Sequence, residues 1–435
     1  MVLAHGISTR ADLPVPSTLA ALGAGLAVVI SFVVLGTLWR RPRFTGSSAG
    51  RPLPPGLQRV IDSPVLRVGL RLVTLVVAGL LVVVGLVGPD STTLNLAPWA
   101  FYITFWVGLV PASLLLGPVW RVLNPLRLVH AVLARALRLD PATGRAALPE
   151  GVGYWPAAAS IAGFAWFELV YPARAEPTDV AVFVIGYAVV HTGAALVFGN
   201  RWFARGDGFE VYSNLLGAMA PLGRRDDGRL VLRNPFDGLE AIRPAPGLVG
   251  VVVVLVGSTA YDGLARTAWW LANVPTGAVN ATLALVCVGL LTGVVYLLGT
   301  WSLTVPGGRD DDTPRPGAFA HTIMPIAAGY AIAHYFSLLV LDGQQTVILA
   351  SDPFGTDADL LGTAGRVIDY TVIGTTTIAL VQIGAIVAGH LVAAVSAHDR
   401  AVRLFPPGVA LRTQYPLLAA MVALSVGAVG LVFAA

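Results

Sequence analysis

Long apolar runs alternate with short polar connections along the whole chain. Ten runs are long enough to cross a bilayer. They cover 17–39, 65–88, 97–120, 154–172, 179–199, 246–265, 279–304, 317–341, 367–396 and 413–434. Each supplies about 20 residues, which at a rise of roughly 1.5 Å per residue matches the hydrocarbon core. The fourth run is the least hydrophobic, because it carries Glu168 and several alanines. The sixth carries Asp262 near one end. The pattern predicts an all-α, polytopic bundle of about ten transmembrane helices, forming one transmembrane domain over 1–435.

The connections add smaller elements. The largest, 200–245, is a loop in which DDGRLVLRNP predicts a hairpin around Asp-Gly. Within the same loop, VYSNLLGAMAPL predicts a short interfacial helix or a re-entrant turn. The segment VLNPLRLVHAVLARALRL is amphipathic. A helical wheel puts Arg127, His130, Arg135 and Arg138 on one face and Leu126, Val129, Val132, Leu133 and Leu137 on the other. That predicts a helix lying on a leaflet with its arginines toward anionic headgroups.

Composition sharpens this picture. Of 435 residues, 56% are hydrophobic and only 12% charged, against about 25% charged in soluble domains. This excludes a disordered chain, a coiled coil, a collagen and an ordinary soluble enzyme. Lysine is absent, so all 28 basic residues are arginine. Alternate connections, starting with the first, hold 24 of them, and only Arg10, Arg174, Arg266 and Arg366 fall on the other side. The positive-inside rule therefore places both termini outside. The basic excess is topology, not a nucleic-acid surface, so the expected partner is the lipid bilayer of the cell membrane. The single cysteine, Cys287, offers no internal disulfide and no metal signature.

Ionisable groups inside a bilayer cost on the order of 2.5–3.5 kcal/mol each at mid-depth, so they mark candidate function. An outer set comprises His334, Asp262, Glu168 and Asp342, with Gln344, Gln345 and Asp369 nearby. His334 and Gln345 share a face if their helix continues. An inner set comprises His191, His321 and His390, a candidate relay. Asp369, Thr376 and His390 fall on one loose stripe of the ninth run. Imidazoles with carboxylates suit two chemistries. His334, Asp262 and Glu168 would suit a divalent metal such as zinc or copper. The same groups would also relay protons. The bland alternative is hydrogen bonding that locks helices together.

Catalytic signatures are absent: there is no HExxH, no GxSxG and no Walker A loop. Several segments resemble a group of polytopic membrane proteins of high-GC bacteria and halophilic archaea that carry the label fenitrothion hydrolase-like. These are LAHGISTRADLPVPSTLAALGAGLAVVISFVVLGTLW, YSNLLGAMAPLGRRDDGRLVLRNPFDGL, STAYDGL, PIAAGYAIAHYFSLLVLDGQQ, and SAHDRAVRLFP with RTQYPLLAAM. The resemblance runs over nearly the whole chain. It implies hydrolysis of an organophosphate ester, assisted by a metal, and assigns no catalytic residue. It also draws notice to Ala4-His5-Gly6. If processing exposed His5, its amine and imidazole would chelate copper.

The sequence thus favours a membrane protein with an outward-facing His/Asp/Glu site that acts on a small molecule or ion, in transport or metal handling. A metal-assisted membrane hydrolase and a non-catalytic scaffold or assembly factor are the alternatives.

Overall fold

The computed structural model describes residues 17–301, 316–406 and 409–434. His5, Arg309 and Arg315 lie outside the described residues. The principal helices are α1 (Ser17–Leu38), α2 (Pro64–Val87), α3 (Leu96–Leu116), α4 (Leu126–Ala136), α5 (Trp155–Leu169) and α6 (Pro177–Phe198). They continue with α7 (Gly208–Ala218), α8 (Leu248–Ala265), α9 (Ala278–Trp301), α10 (Pro316–Ala350), α11 (Thr375–Leu404) and α12 (Tyr415–Ala434). Among the described residues, eight helical segments are long and apolar enough to cross a membrane. Helices α2 and α9 keep large side chains such as Val65, Val73, Val76, Leu290 and Leu291 exposed, as a lipid-facing surface does.

Local signals set several boundaries. The Ser63 hydroxyl accepts from the Leu66 amide, and Pro64 opens α2 at a position where no amide is needed. Asn95 caps α3 by accepting from the Ala97 amide, and its own amide reaches the carbonyls of Val84 and Pro89. This fixes the turn between α2 and α3.

The arginine-rich connections meet at one end of the bundle. Asp399 accepts from the Trp39 indole and the Arg43 amide. Thr45 bonds Asp237, Ser47 bonds Asp226, and Asp62 pairs with Arg224. Arg127 pairs with Glu210, and Arg400 with Glu240. The expected hairpin is present: β2 (Leu222–Arg224) pairs with β3 (Leu230–Leu232), and β1 (Arg51–Pro52) joins the other edge of β3.

Helices α10 and α11 are the most intimately packed pair, because small residues face each other. A β-carbon at Gly329 would run into the carbonyl oxygen of Ala385 and lie 3.2 Å from the Cα of Gly389. This is small-residue packing of the kind that lets membrane helices touch through their backbones.

Three expectations need correction. Helix α11 starts at Thr375, so Asp369 lies in the preceding loop, where it accepts from Thr371. The stripe of Asp369, Thr376 and His390 therefore does not form. In α10 a π-turn over Leu338–Asp342 separates His334 from Gln345 and shifts the helical phase between them. On α4, His130 is fully buried and Arg127 turns inward to Glu210 and over the Phe203 ring. Only Arg135 and Arg138 of the expected polar face remain exposed. The reason is Glu210, a buried carboxylate whose charge demands a partner more than the headgroup region does.

Candidate functional site

Two polar sites emerge, at opposite ends of the bundle, with a small cavity between them.

At the arginine-poor end, α8 and α10 bring Asp262 and His334 together. His334 Nε2 lies 2.6 Å from Asp262 Oδ2, and both side chains are buried. Arg266, one turn beyond Asp262, donates to both carboxylate oxygens at 2.8 and 2.9 Å. The i,i+4 spacing puts the two on one helix face. Tyr330, one turn before His334, stacks on its ring, and Tyr335 meets it edge-on. The carboxylate accepts from Nε2, so that nitrogen carries the ring proton in this arrangement.

Glu168, also buried, ends α5. It lies within electrostatic reach of Tyr102, Tyr212 and Tyr335, and Tyr335 is within reach of Asp262 as well. Tyr335 thus stands between the two carboxylates. Glu168, Tyr212, Tyr335, Trp106, Ser258 and Thr259 line a cavity with about 20 Å³ of space for water centres, room for roughly one water. The buried Trp106 Nε1 has no partner among the described residues, so it is a ready donor to such a water. Trp106 belongs to a π-turn, Ala100–Val107, which packs against the π-turn of α10. Such turns recur at functional sites because they re-aim side chains. Asp342 ends the second π-turn, where it lies near Tyr370 instead of joining His334.

The second site centres on α7, which is buried except for a half-buried Asn214, at the arginine-rich end. Asp207 caps this helix by accepting from the Glu210 amide at 3.1 Å. Asp207 and Glu210 are both fully buried. The Asn124 amide bridges them, 2.8 Å from Asp207 and 3.2 Å from Glu210. Arg127 neutralises Glu210 through two bonds, at 2.5 and 2.7 Å. Burial, and then the neighbouring Glu210 charge, push the Asp207 carboxyl up to about 6.

A directed chain of hydrogen bonds ends on Asp207. The Trp202 indole donates to His191 Nδ1 at 3.1 Å, which leaves the ring proton on Nε2. His191 Nε2 then donates to the Ser160 hydroxyl at 3.2 Å. Ser160 donates to the Tyr187 hydroxyl at 3.4 Å, and Tyr187 donates to Asp207 at 2.6 Å. Backbone amides of Gly208 and Phe209 hold the two hydroxyls in place. Every donor points the same way, toward the carboxylate.

The expected inner trio has separate partners. His191 belongs to this chain. His321 lies 3.6 Å from Glu240, which also holds Arg400 and Arg403. His390 donates from Nδ1 to its own helix at the Ile386 carbonyl. Glu240 keeps its carboxyl below the usual range: burial opposes this, but His321 and Arg400 outweigh it.

The metal expectation finds no fit. Among the described residues, no three His, Cys, Asp or Glu side chains gather to hold an ion. At Asp262, the Arg266 guanidinium already occupies the carboxylate and would repel a second cation.

Asp207 and Glu210 escaped the sequence reading because they sit in a connection, not in an apolar run. The signal was present: Asp207-Gly-Phe-Glu210 is a capping pattern, an N-cap acid followed three residues later by glutamate.

No protein-family model, curated protein or solved structure matches this chain.

Proposed function

We propose that the protein is a proton-coupled membrane transporter. The observation that carries this reading is the buried Asp262–His334 pair at 2.6 Å, placed inside two helices that are long and apolar enough to cross a membrane. A histidine bonded to a carboxylate is the pairing that proton relays in membranes use, and Arg266 bonds the same carboxylate. Tyr335 and Glu168 continue the polar line toward the cavity, where one water would bridge to Tyr212. Tyr212 shares α7 with Asp207, the end of the second hydrogen-bond chain. The arrangement thus offers proton-holding groups at both ends and a one-water cavity between.

The topology we adopt has ten crossings: the eight long segments plus α1 and α5. Helix α5 has only 15 residues. Yet the connections before α5 and after α6 share one end of the bundle through Arg127–Glu210. A crossing by α6 therefore requires α5 to return the chain. The arginine excess supports a cytoplasmic position for that end, with both termini outside, in the cell membrane.

One observation favours a second reading. The Asp262–His334 bond joins α8 to α10, as a lock in a scaffold protein would. A metal-assisted hydrolase gains less support, since a cavity for one water does not hold a phosphotriester.

The test is proton movement. Purified protein in liposomes, with a potassium–valinomycin potential and an internal pH dye, is expected to acidify or alkalinise the lumen faster than empty liposomes. Equal rates with and without a panel of small organic and inorganic cargoes would overturn the transport reading.

A further inference from the structure

We propose that the arginine-rich end holds a binding site for the phosphate of an anionic phospholipid, with Arg71 and Arg121 as its ligating residues. This inference is independent of the transport reading.

Arg71 projects from α2 about two turns after Pro64. Its guanidinium donates to the carbonyls of Val122 at 3.1 Å and Arg121 at 3.2 Å. These two bonds set the fork against the end of the short helix Val119–Leu123. Arg67, Arg127 and Arg121 all lie within electrostatic reach of Arg71, and Arg224 within reach of Arg121. Five guanidinium groups from four separate elements therefore share one region.

Their neutralisation is incomplete. Arg67 and Arg224 share Asp62, and Arg127 holds Glu210. Arg71 and Arg121 have no carboxylate partner among the described residues. Five cations face two carboxylates, which leaves an excess of three positive charges where each guanidinium repels the others. A phosphate oxyanion relieves that repulsion and accepts the remaining N–H donors in the bidentate geometry that arginine favours.

The surroundings point to a lipid as the source of that phosphate. Helix α2 exposes Val68, one turn before Arg71, and Leu72 next to it, and α4 exposes Val132 and Leu133, with Leu137 just past its end. Acyl chains have an apolar wall to follow from the charged cluster into the hydrocarbon. Free phosphate would use none of this surface. Basic pockets between helices on the cytoplasmic side are where anionic headgroups bind.

The experiment uses the full chain in detergent. Native mass spectrometry and thermal unfolding are followed while phosphatidylglycerol, phosphatidylcholine or inorganic phosphate is added. We expect phosphatidylglycerol to bind and raise the melting temperature, phosphatidylcholine to bind more weakly, and millimolar phosphate not to displace the lipid. Arg71→Gln and Arg121→Gln should each weaken phosphatidylglycerol binding about fivefold, whereas Arg138→Gln, at an exposed position just past the end of α4, should not. Equal binding of the two lipids by the wild-type chain would overturn the proposal, even if a variant failed to fold. Displacement by phosphate alone would overturn the lipid assignment, and unchanged binding in both variants would overturn the site.

Discussion

His334 and Asp262 stand 72 positions apart in the chain and 2.6 Å apart in the fold. Arg266 closes the other side of the same carboxylate. The pair is therefore an acceptor held between two donors, an imidazole and a guanidinium. Removing the imidazole donor and removing the acceptor have different consequences. His334→Gln keeps an N–H donor beside Asp262 and should leave the melting temperature within a few degrees of wild type. Asp262→Asn leaves Arg266 without its counter-charge and should cost on the order of 3 kcal/mol. Thermal unfolding of both variants in one detergent separates these outcomes. Equal losses would argue against the assigned roles.

Asp207 sets a pH dependence on the arginine-rich side. Its folded-state carboxyl sits near 6, above the ordinary value of about 3.9. The folded protein thus binds this proton more tightly than the unfolded chain. The stabilisation is full below the unfolded value and is lost as pH rises through about 6. Wild-type melting temperature should rise between pH 7.5 and pH 5, with a contribution of roughly 1–1.5 kcal/mol from this group. Asp207→Asn should flatten that rise, and a wild-type curve as flat as the variant's would refute the assignment.

Glu240 carries the opposite sign. His321 and Arg400 hold its carboxyl below the ordinary range against the effect of burial. Its contribution is present above the unfolded value of about 4.3 and is lost as pH falls through the lower folded value. Glu240→Gln should therefore destabilise the protein at pH 7 by about 2 kcal/mol, because Arg400 and Arg403 lose their counter-charge. That difference from wild type should shrink below pH 4, as followed by unfolding in a pH series.

The α10–α11 contact is expected to tolerate no added carbon. Gly329→Ala drives a methyl against the Ala385 carbonyl, which is backbone and cannot rotate away. The cost should be about 1–3 kcal/mol. The same change at Gly384 on α11, where no atom lies within 4 Å of a β-carbon, should be near neutral. Differential scanning of the two variants tests the packing directly.

What the sequence made legible follows from what lipid demands. Apolar runs must be long and arginines must alternate, so the helical bundle and its charged end could be read from spacing alone. Asp262, His334 and Glu168 stood out because ionisable groups are rare in such runs. Their partners did not stand out, since the 72-residue separation of Asp262 from His334 is closed only by tertiary packing. Arg266 was readable as the i,i+4 partner of Asp262 but was counted only as a topological charge. The π-turn before Gln344 was not readable, and it broke the wheel that joined His334 to Gln345. Gln344 instead pairs with Asp369 across the loop. His390 illustrates a further limit: a wheel shows the face of a residue, not that its ring bonds its own helix.

The central claim is that the Asp262–His334 pair carries protons rather than only joining two helices. Proton flux into liposomes containing wild-type protein or His334→Gln, at matched protein content and matched melting temperature, tests it most directly. The account expects the glutamine variant to lose at least tenfold in rate while remaining folded. Wild-type flux that His334→Gln leaves unchanged would contradict it and assign the pair to the structural lock.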